Sequence, residues 1–208
     1  MKRKTRQAVA DIMNRLYAKG LTTTSGGNVS MRLKQKILIT PSQTDKGNMR
    51  GEQIGVITLD GKNLTPNLKL SMETGMHQAI YKARKDVRAI VHAHPFAATA
   101  LSAREGLIDS RINGEARAML GKPAFVPYET MGTTDLAQKA AKAIVNSNAI
   151  ILQHHGILTV GETLLQAFDR LELMEMTARA MVIRQIYGIE ERISDDHIAI
   201  IDRMFDQP

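Results

Sequence analysis

Short apolar runs that alternate with amphipathic helical stretches constrain this 208-residue chain most. "KILITPS", "VRAIVHAH", "KPAFVPY" and "AIILQHHGILTVG" read as strands bounded by Pro, Gly or His. Helical patterns lie between and around them. Residues 3 to 19 place Val9, Ile12, Met13, Leu16 and Tyr17 on one face, and Gly20 closes that helix. Ser71 is the expected N-cap of "METGMHQAIYKAR". "FAATALSAR" and the Thr-capped "TTDLAQKAAKAIVNS" are further helices. The long "TLLQAFDRLELMEMTARAMVIRQIYG" ends at Gly188, and "SDDHIAIIDRMF" follows. "IGVITLDGKNLT" reads as a hairpin turning at Asp60-Gly61. The pattern predicts one α/β domain over residues 1–208, with helices covering a sheet that is mixed or partly antiparallel.

Composition narrows the function classes. Cysteine is absent, so a metal would have to be held by histidine and carboxylate. The net charge of +7 is scattered and aromatic residues make up 4% of the chain, which argues against nucleic acid. No apolar run is long enough for a membrane helix, and the basic start lacks the apolar stretch of a secretory signal. The expected location is the cytoplasm. The methionines of the long helix read as core packing.

Two of the six histidines stand at i and i+2 in "IVHAHP". Side chains so spaced on a strand point the same way, which suits a metal ion and equally suits two hydrogen-bonded polar residues at a strand end. "AIILQHHG" ends a second apolar run in His154 and His155, which face opposite sides, so one of them can join the pair. Three histidines fit an open catalytic zinc site. Glu73 falls in the first helical turn, where the helix dipole favours a carboxylate; as a sequence feature alone it needs no other duty. His77 could share a site with Glu73 at i+4, but reads better as a buried histidine bonded to a backbone carbonyl. "SGGNVS" lets the backbone approach an anion, with Ser25, Asn28 and Ser30 as donors. It lacks the P-loop lysine and is also compatible with a plain tight turn.

Taken together, "TTTSGGNVSMRL", "ILITPS", "LSMETGMHQAIYKAR", "AIVHAHPFAATALS", "PAFVPYETMGTTDLA" and "ILQHHGILTVGETLLQAF" resemble the class II aldolase/adducin family in order, from about residue 5 to 188. The resemblance implies a three-layer α/β/α fold around a central mixed, largely antiparallel sheet. It implies that His92, His94 and His155, with Glu73, hold Zn(2+) or another divalent ion such as Mn(2+). Glu73 would also be the catalytic acid/base, and Ser25, Asn28, Ser42 and Ser71 would hold a substrate phosphate. The implied activity is cleavage of a ketose 1-phosphate, such as L-fuculose 1-phosphate, to dihydroxyacetone phosphate and an aldehyde through a metal-stabilised enediolate. The implied assembly is a homotetramer with fourfold symmetry and sites at subunit interfaces; neither nucleic acid nor membrane is an expected partner.

Three departures from the family pattern stand out. Gln43 replaces a glycine of the phosphate loop, Met72 replaces a serine, and Asn113 stands where a proton-transferring tyrosine is found; a second such tyrosine, in the C-terminal tail, has no counterpart before Pro208. Epimerase, dehydratase and decarboxylase relatives share the same ligands. A metal-free, adducin-like binding module is the reading from another class, and the complete ligand set argues against it.

Overall fold

The computed structural model describes residues 3–205; the basic start at Met1 and Lys2 and the tail through Pro208 lie outside them. The elements are α1 (Arg3–Ala18), β1 (Asn28–Leu33), β2 (Lys36–Ile39), β3 (Gly55–Thr58), α2 (Thr74–Ala83), β4 (Ala89–Ala93) and α3 (Phe96–Leu101). There follow α4 (Gly114–Leu120), β5 (Ala124–Val126), α5 (Thr134–Ala143), β6 (Ala149–Leu152), β7 (Gly156–Gly161), α6 (Leu164–Ile186) and α7 (Asp195–Met204).

The strands form one seven-stranded sheet in the order β3-β2-β1-β4-β7-β6-β5. Only β5 and β6 pair in parallel; the other neighbours are antiparallel. The side-chain period of two then divides the core. Ala89, Val91, Ala93, Ala149, Ile151 and Ile157 face one side, against α1, α3, α4 and α6. Ile90, Ile150, Leu152, Leu158 and Val160 face the other, against Met76, Ile80 and Tyr81 of α2 and Leu136, Ala137 and Ala140 of α5. This is the expected three-layer α/β/α arrangement with a mixed, largely antiparallel sheet.

Helix starts follow side-chain chemistry. Thr133, Thr163 and Ser194 each accept a backbone N–H from the first turn of α5, α6 and α7. The expected cap of α2 is displaced: the helix begins at Thr74, and the Ser71 hydroxyl accepts from Glu73 N, 3.3 Å away. The expected hairpin after β3 is reduced to an isolated bridge between Ile57 and Asn63, because the stretch beyond Asp60-Gly61 forms no strand. Helix α4, which the apolar period of "GEARAML" is too short to announce, is capped by Asn113, whose Oδ1 accepts from Glu115 N and Ala116 N.

The chain leaving β4 is held by a residue far away in sequence. Glu175 of α6 is 2% exposed, and its carboxylate accepts from Ala97 N and Ala98 N at the start of α3, at 3.2 and 2.9 Å. Arg179 Nε donates to the same carboxylate at 2.8 Å. A carboxylate on free helix N–H groups is favoured by charge and dipole. This contact fixes the turn that follows His94. Glu175→Ala is therefore expected to cost about 2–4 kcal/mol, since it leaves buried amides without an acceptor; urea unfolding of the variant beside wild type measures it.

Candidate metal centre

His92 lies on β4, the central strand, and its ring is completely buried. Its Nδ1 donates to the Ile157 carbonyl on β7 at 2.9 Å. That bond sets the tautomer and turns Nε2 inward, the arrangement a metal-binding imidazole needs. His94 follows just past the strand, with its Nε2 3.1 Å from His92 Nε2. His155 does not end a strand as expected. It sits in the turn between β6 and β7, closed by His155 N donating to Leu152 O at 3.1 Å, while His154 takes φ +52 and points outward. One ring nitrogen from each of His92, His94 and His155 lies within 4.8 Å of the other two.

Glu73 closes the fourth side. Its Oε2 is 3.1 Å from His92 Nε2, and its Oε1 is 3.3 Å from His155 Nε2 without the alignment of a hydrogen bond. Glu73 Oε1 and both ring nitrogens of His155 are buried with no hydrogen-bond partner. Buried polar atoms are rarely left so, and a cation between Glu73 Oε1 and His155 Nε2 would satisfy those two. The donor set of imidazole and carboxylate suits zinc and also manganese.

Three glycines allow this convergence. A Cβ on Gly27, which has φ +67, would stand 2.7 Å from the His92 carbonyl oxygen. One on Gly26 would meet Thr23 Oγ1 at 2.7 Å and His94 Nδ1 at 3.1 Å. One on Gly156 would meet Ala93 O at 2.6 Å and His94 Cδ2 at 2.7 Å. "SGGN" and "HHG" are thus backbones pressed directly on "HAH", which side chains would hold apart.

Behind Glu73 runs a buried polar chain that the sequence did not disclose. Asn28 Nδ2 donates to Glu73 Oε2 at 2.8 Å, since a carboxylate repels the amide oxygen. Asn28 Oδ1 then accepts from His77 Nε2, His77 Nδ1 accepts from Ser30 Oγ at 2.6 Å, and Ser30 Oγ accepts from the Tyr81 hydroxyl at 2.8 Å. His77 is buried as expected, but its partners are the Asn28 and Ser30 side chains rather than a backbone carbonyl. From Ser30 through His77 and Asn28 the donors point toward Glu73, which orients its carboxylate.

The pKa shifts suit this site. Burial raises the Glu73 carboxyl, but the His92 charge and hydrogen bond, then His155 and Asn28, outweigh it and hold Glu73 well below the usual carboxylate range. Burial disfavours a charge on His92, yet Glu73 and the Ile157 carbonyl hold its pKa above the ordinary value. Burial first, then the His92 charge, pushes His94 and His77 down to about 3 and His155 down to about 4. These three imidazoles stay neutral near pH 7.

Ser25, Asn28, Ser42 and Ser71 line one cleft together with Glu73, His94 and His155. Ser25 is exposed at its mouth and Asn28 is buried at its floor. The Asn28 carboxamide is engaged by Glu73 and His77, which leaves one Nδ2 hydrogen for a ligand. Gln43 keeps φ +53, a conformation glycine takes without strain, and turns its side chain away to Lys69 Nζ at 2.6 Å. Met72 is 67% exposed beside the cleft. Lys46, which reads in sequence as an ordinary loop cation, is buried in the cleft wall. A broader groove, along Arg32, Lys34, Lys36, Lys82 and Arg88, lies by the β1–β2 turn and holds none of these residues.

A carboxylate and three inward imidazoles at the end of a mixed sheet define a class of α/β protein with a donor set that could hold a metal ion. The chain belongs to the class II aldolase family: the Class II Aldolase and Adducin N-terminal domain matches residues 7–182. It is 33% identical over 177 residues to L-fuculose phosphate aldolase of Methanococcus maripaludis (strain C5), covering 85% of this chain and 95% of that one. It is 32% identical over 168 residues to 3-oxo-tetronate 4-phosphate decarboxylase of Haemophilus influenzae, covering 78% and 80%. A solved L-fuculose 1-phosphate aldolase superposes with a TM-score of 0.87 at 29% identity, covering 99% of this chain and 98% of that one.

Gly27→Ala is expected to cost about 1–3 kcal/mol through left-handed strain and contact with the His92 carbonyl, and to lower bound metal, read by denaturation and elemental analysis. In metal-free protein, the folded pKa values of His77, His94 and His155 lie below the ordinary histidine value of 6.5. The unfolded chain therefore takes up protons first as pH falls below about 6.5, so stability drops from there toward pH 4, by up to about 1.4 kcal/mol per pH unit for each histidine. Urea midpoints between pH 7.5 and 5 check it; a flat profile contradicts it.

Proposed function

We propose that the chain is a divalent-metal-dependent lyase that cleaves a ketose 1-phosphate, such as L-fuculose 1-phosphate, to dihydroxyacetone phosphate and an aldehyde. The observation that carries this reading is the buried Glu73 carboxylate beside three histidines, with unsatisfied atoms facing one another. His92, His94 and His155, with Glu73, would hold the ion, zinc by preference and manganese as an alternative. Bound there, it supplies Lewis acidity toward a carbonyl and its neighbouring hydroxyl. Ser25, Ser42 and Ser71, with Asn28, would bind the phosphate end and so set the distance from phosphate to reacting carbon. Glu73 would move the proton at that carbon, its carboxylate aimed by Asn28 and His77.

A second reading, of a decarboxylase, epimerase or dehydratase on the same ligands, has one specific support. Asn113, where the resemblance implies a tyrosine, carries an amide in place of a phenol, and that amide's oxygen is committed to capping α4. The resemblance to the Haemophilus influenzae decarboxylase agrees with it. Both readings place the protein in the cytoplasm as a homotetramer. Apolar side chains exposed along the end of α6, at Met176, Ile183 and Ile186, are consistent with a covered surface. Among the described residues, no helix is long and apolar enough to cross a membrane.

The test is elemental analysis of untagged protein followed by cleavage assays. About one divalent ion per chain is expected, lost in His92→Ala, together with release of dihydroxyacetone phosphate from a ketose 1-phosphate. Glu73→Gln is expected to lower kcat by roughly 10²- to 10⁴-fold. Wild type that binds no ion when zinc or manganese is supplied would sink both readings.

A further inference from the structure

Lys46 is 1% exposed, yet among the described residues no carboxylate pairs with it. Its ammonium donates to the Pro41 carbonyl, and its backbone N–H donates to Thr24 O at 2.9 Å. An ammonium has three donors, so two remain beyond the bond to Pro41. Burial pushes its pKa down to about 8, the mark of a cation kept from water without a counter-charge. Isolated buried cations destabilise a fold and are kept where an anion completes them. Lys46 lines the cleft that also holds Ser25, Ser42 and Ser71, and its backbone ties the 41–46 loop to the residue before Ser25.

We propose that Lys46 is the cationic seat for the phosphate group of the substrate, a binding residue in the wall of that cleft. The proposal rests on the sugar-phosphate reading above, but it concerns phosphate binding alone and is tested without turnover.

The probe is inorganic phosphate, titrated calorimetrically into metal-loaded full-length protein. Lys46→Met is expected to weaken phosphate at least about 30-fold, as loss of a charge-assisted contact does. Lys46→Arg is expected to stay within a few-fold of wild type. Metal content should not change, and the melting temperature of Lys46→Met should hold or rise, because a buried charge has been removed. If Lys46→Met binds phosphate within two-fold of wild type, or wild type binds none, the proposal is overturned. A fall in melting temperature with phosphate affinity intact would make Lys46 a structural clamp on Pro41 and also overturn it. Should Lys46→Met fail to fold, NMR of wild type carrying 13Cε-labelled lysine decides: phosphate must shift the resonance missing from Lys46→Arg. Phosphate binding that depends on Lys46 in a protein that cleaves no ketose phosphate would remove the lyase reading and leave this one standing.

Discussion

The close approach of three backbones at His92 and His94 is the constraint on which the centre depends. Gly27 lies against the His92 carbonyl and Gly156 against the Ala93 carbonyl. Only because neither carries a Cβ can loop 22–27 and the β6–β7 turn close over the end of β4. That closure brings Asn28 beneath Glu73 and His155 across from His92. The electrostatics follow from it. Close coupling holds Glu73 well below the usual carboxylate range and His92 above the ordinary histidine value, while burial and the His92 charge push His94 and His155 down.

Much of this was legible in the sequence, for physical reasons that differ by residue. The period-two alternation of "AIVHAH" points His92 and His94 the same way, and the chain leaving β4 keeps His94 beside His92. The helices with apolar stripes and Thr or Ser caps appear where their patterns run. Short elements were harder: "GEARAML" spans under two turns, too few for a period to show, and only its Asn113 cap and tertiary packing make α4 a helix. The stretch beyond Asp60-Gly61 carries a hairpin turn signal, yet its residues find one bridge and no ladder.

The polar chain behind Glu73 escaped sequence reasoning for another reason. Ser30, His77 and Tyr81 come from β1 and α2, and they meet Asn28 only when that helix packs on the sheet. No spacing rule joins positions 28 and 77. Lys46 is a similar case, since nothing in "TDKGN" says that its side chain turns inward. The resemblance to a family supplied the roles expected of Glu73, Ser42 and Ser71; the residues alone left a helix-start glutamate, a serine at a strand end and a helix cap.

The sheet order carries one more consequence. β4 is the fourth of seven strands, laced on both sides, so His92 cannot part from its neighbours without breaking the middle of the molecule. Glu73, Ser25, Ser42, Ser71 and Lys46 all stand on connecting segments that close over it from the rim. The centre therefore has one donor held within the sheet and the others, His94 and His155 included, set by connecting segments. Rim segments can differ while the His92 imidazole stays laced into the sheet, so what the rim recognises can change around a fixed donor.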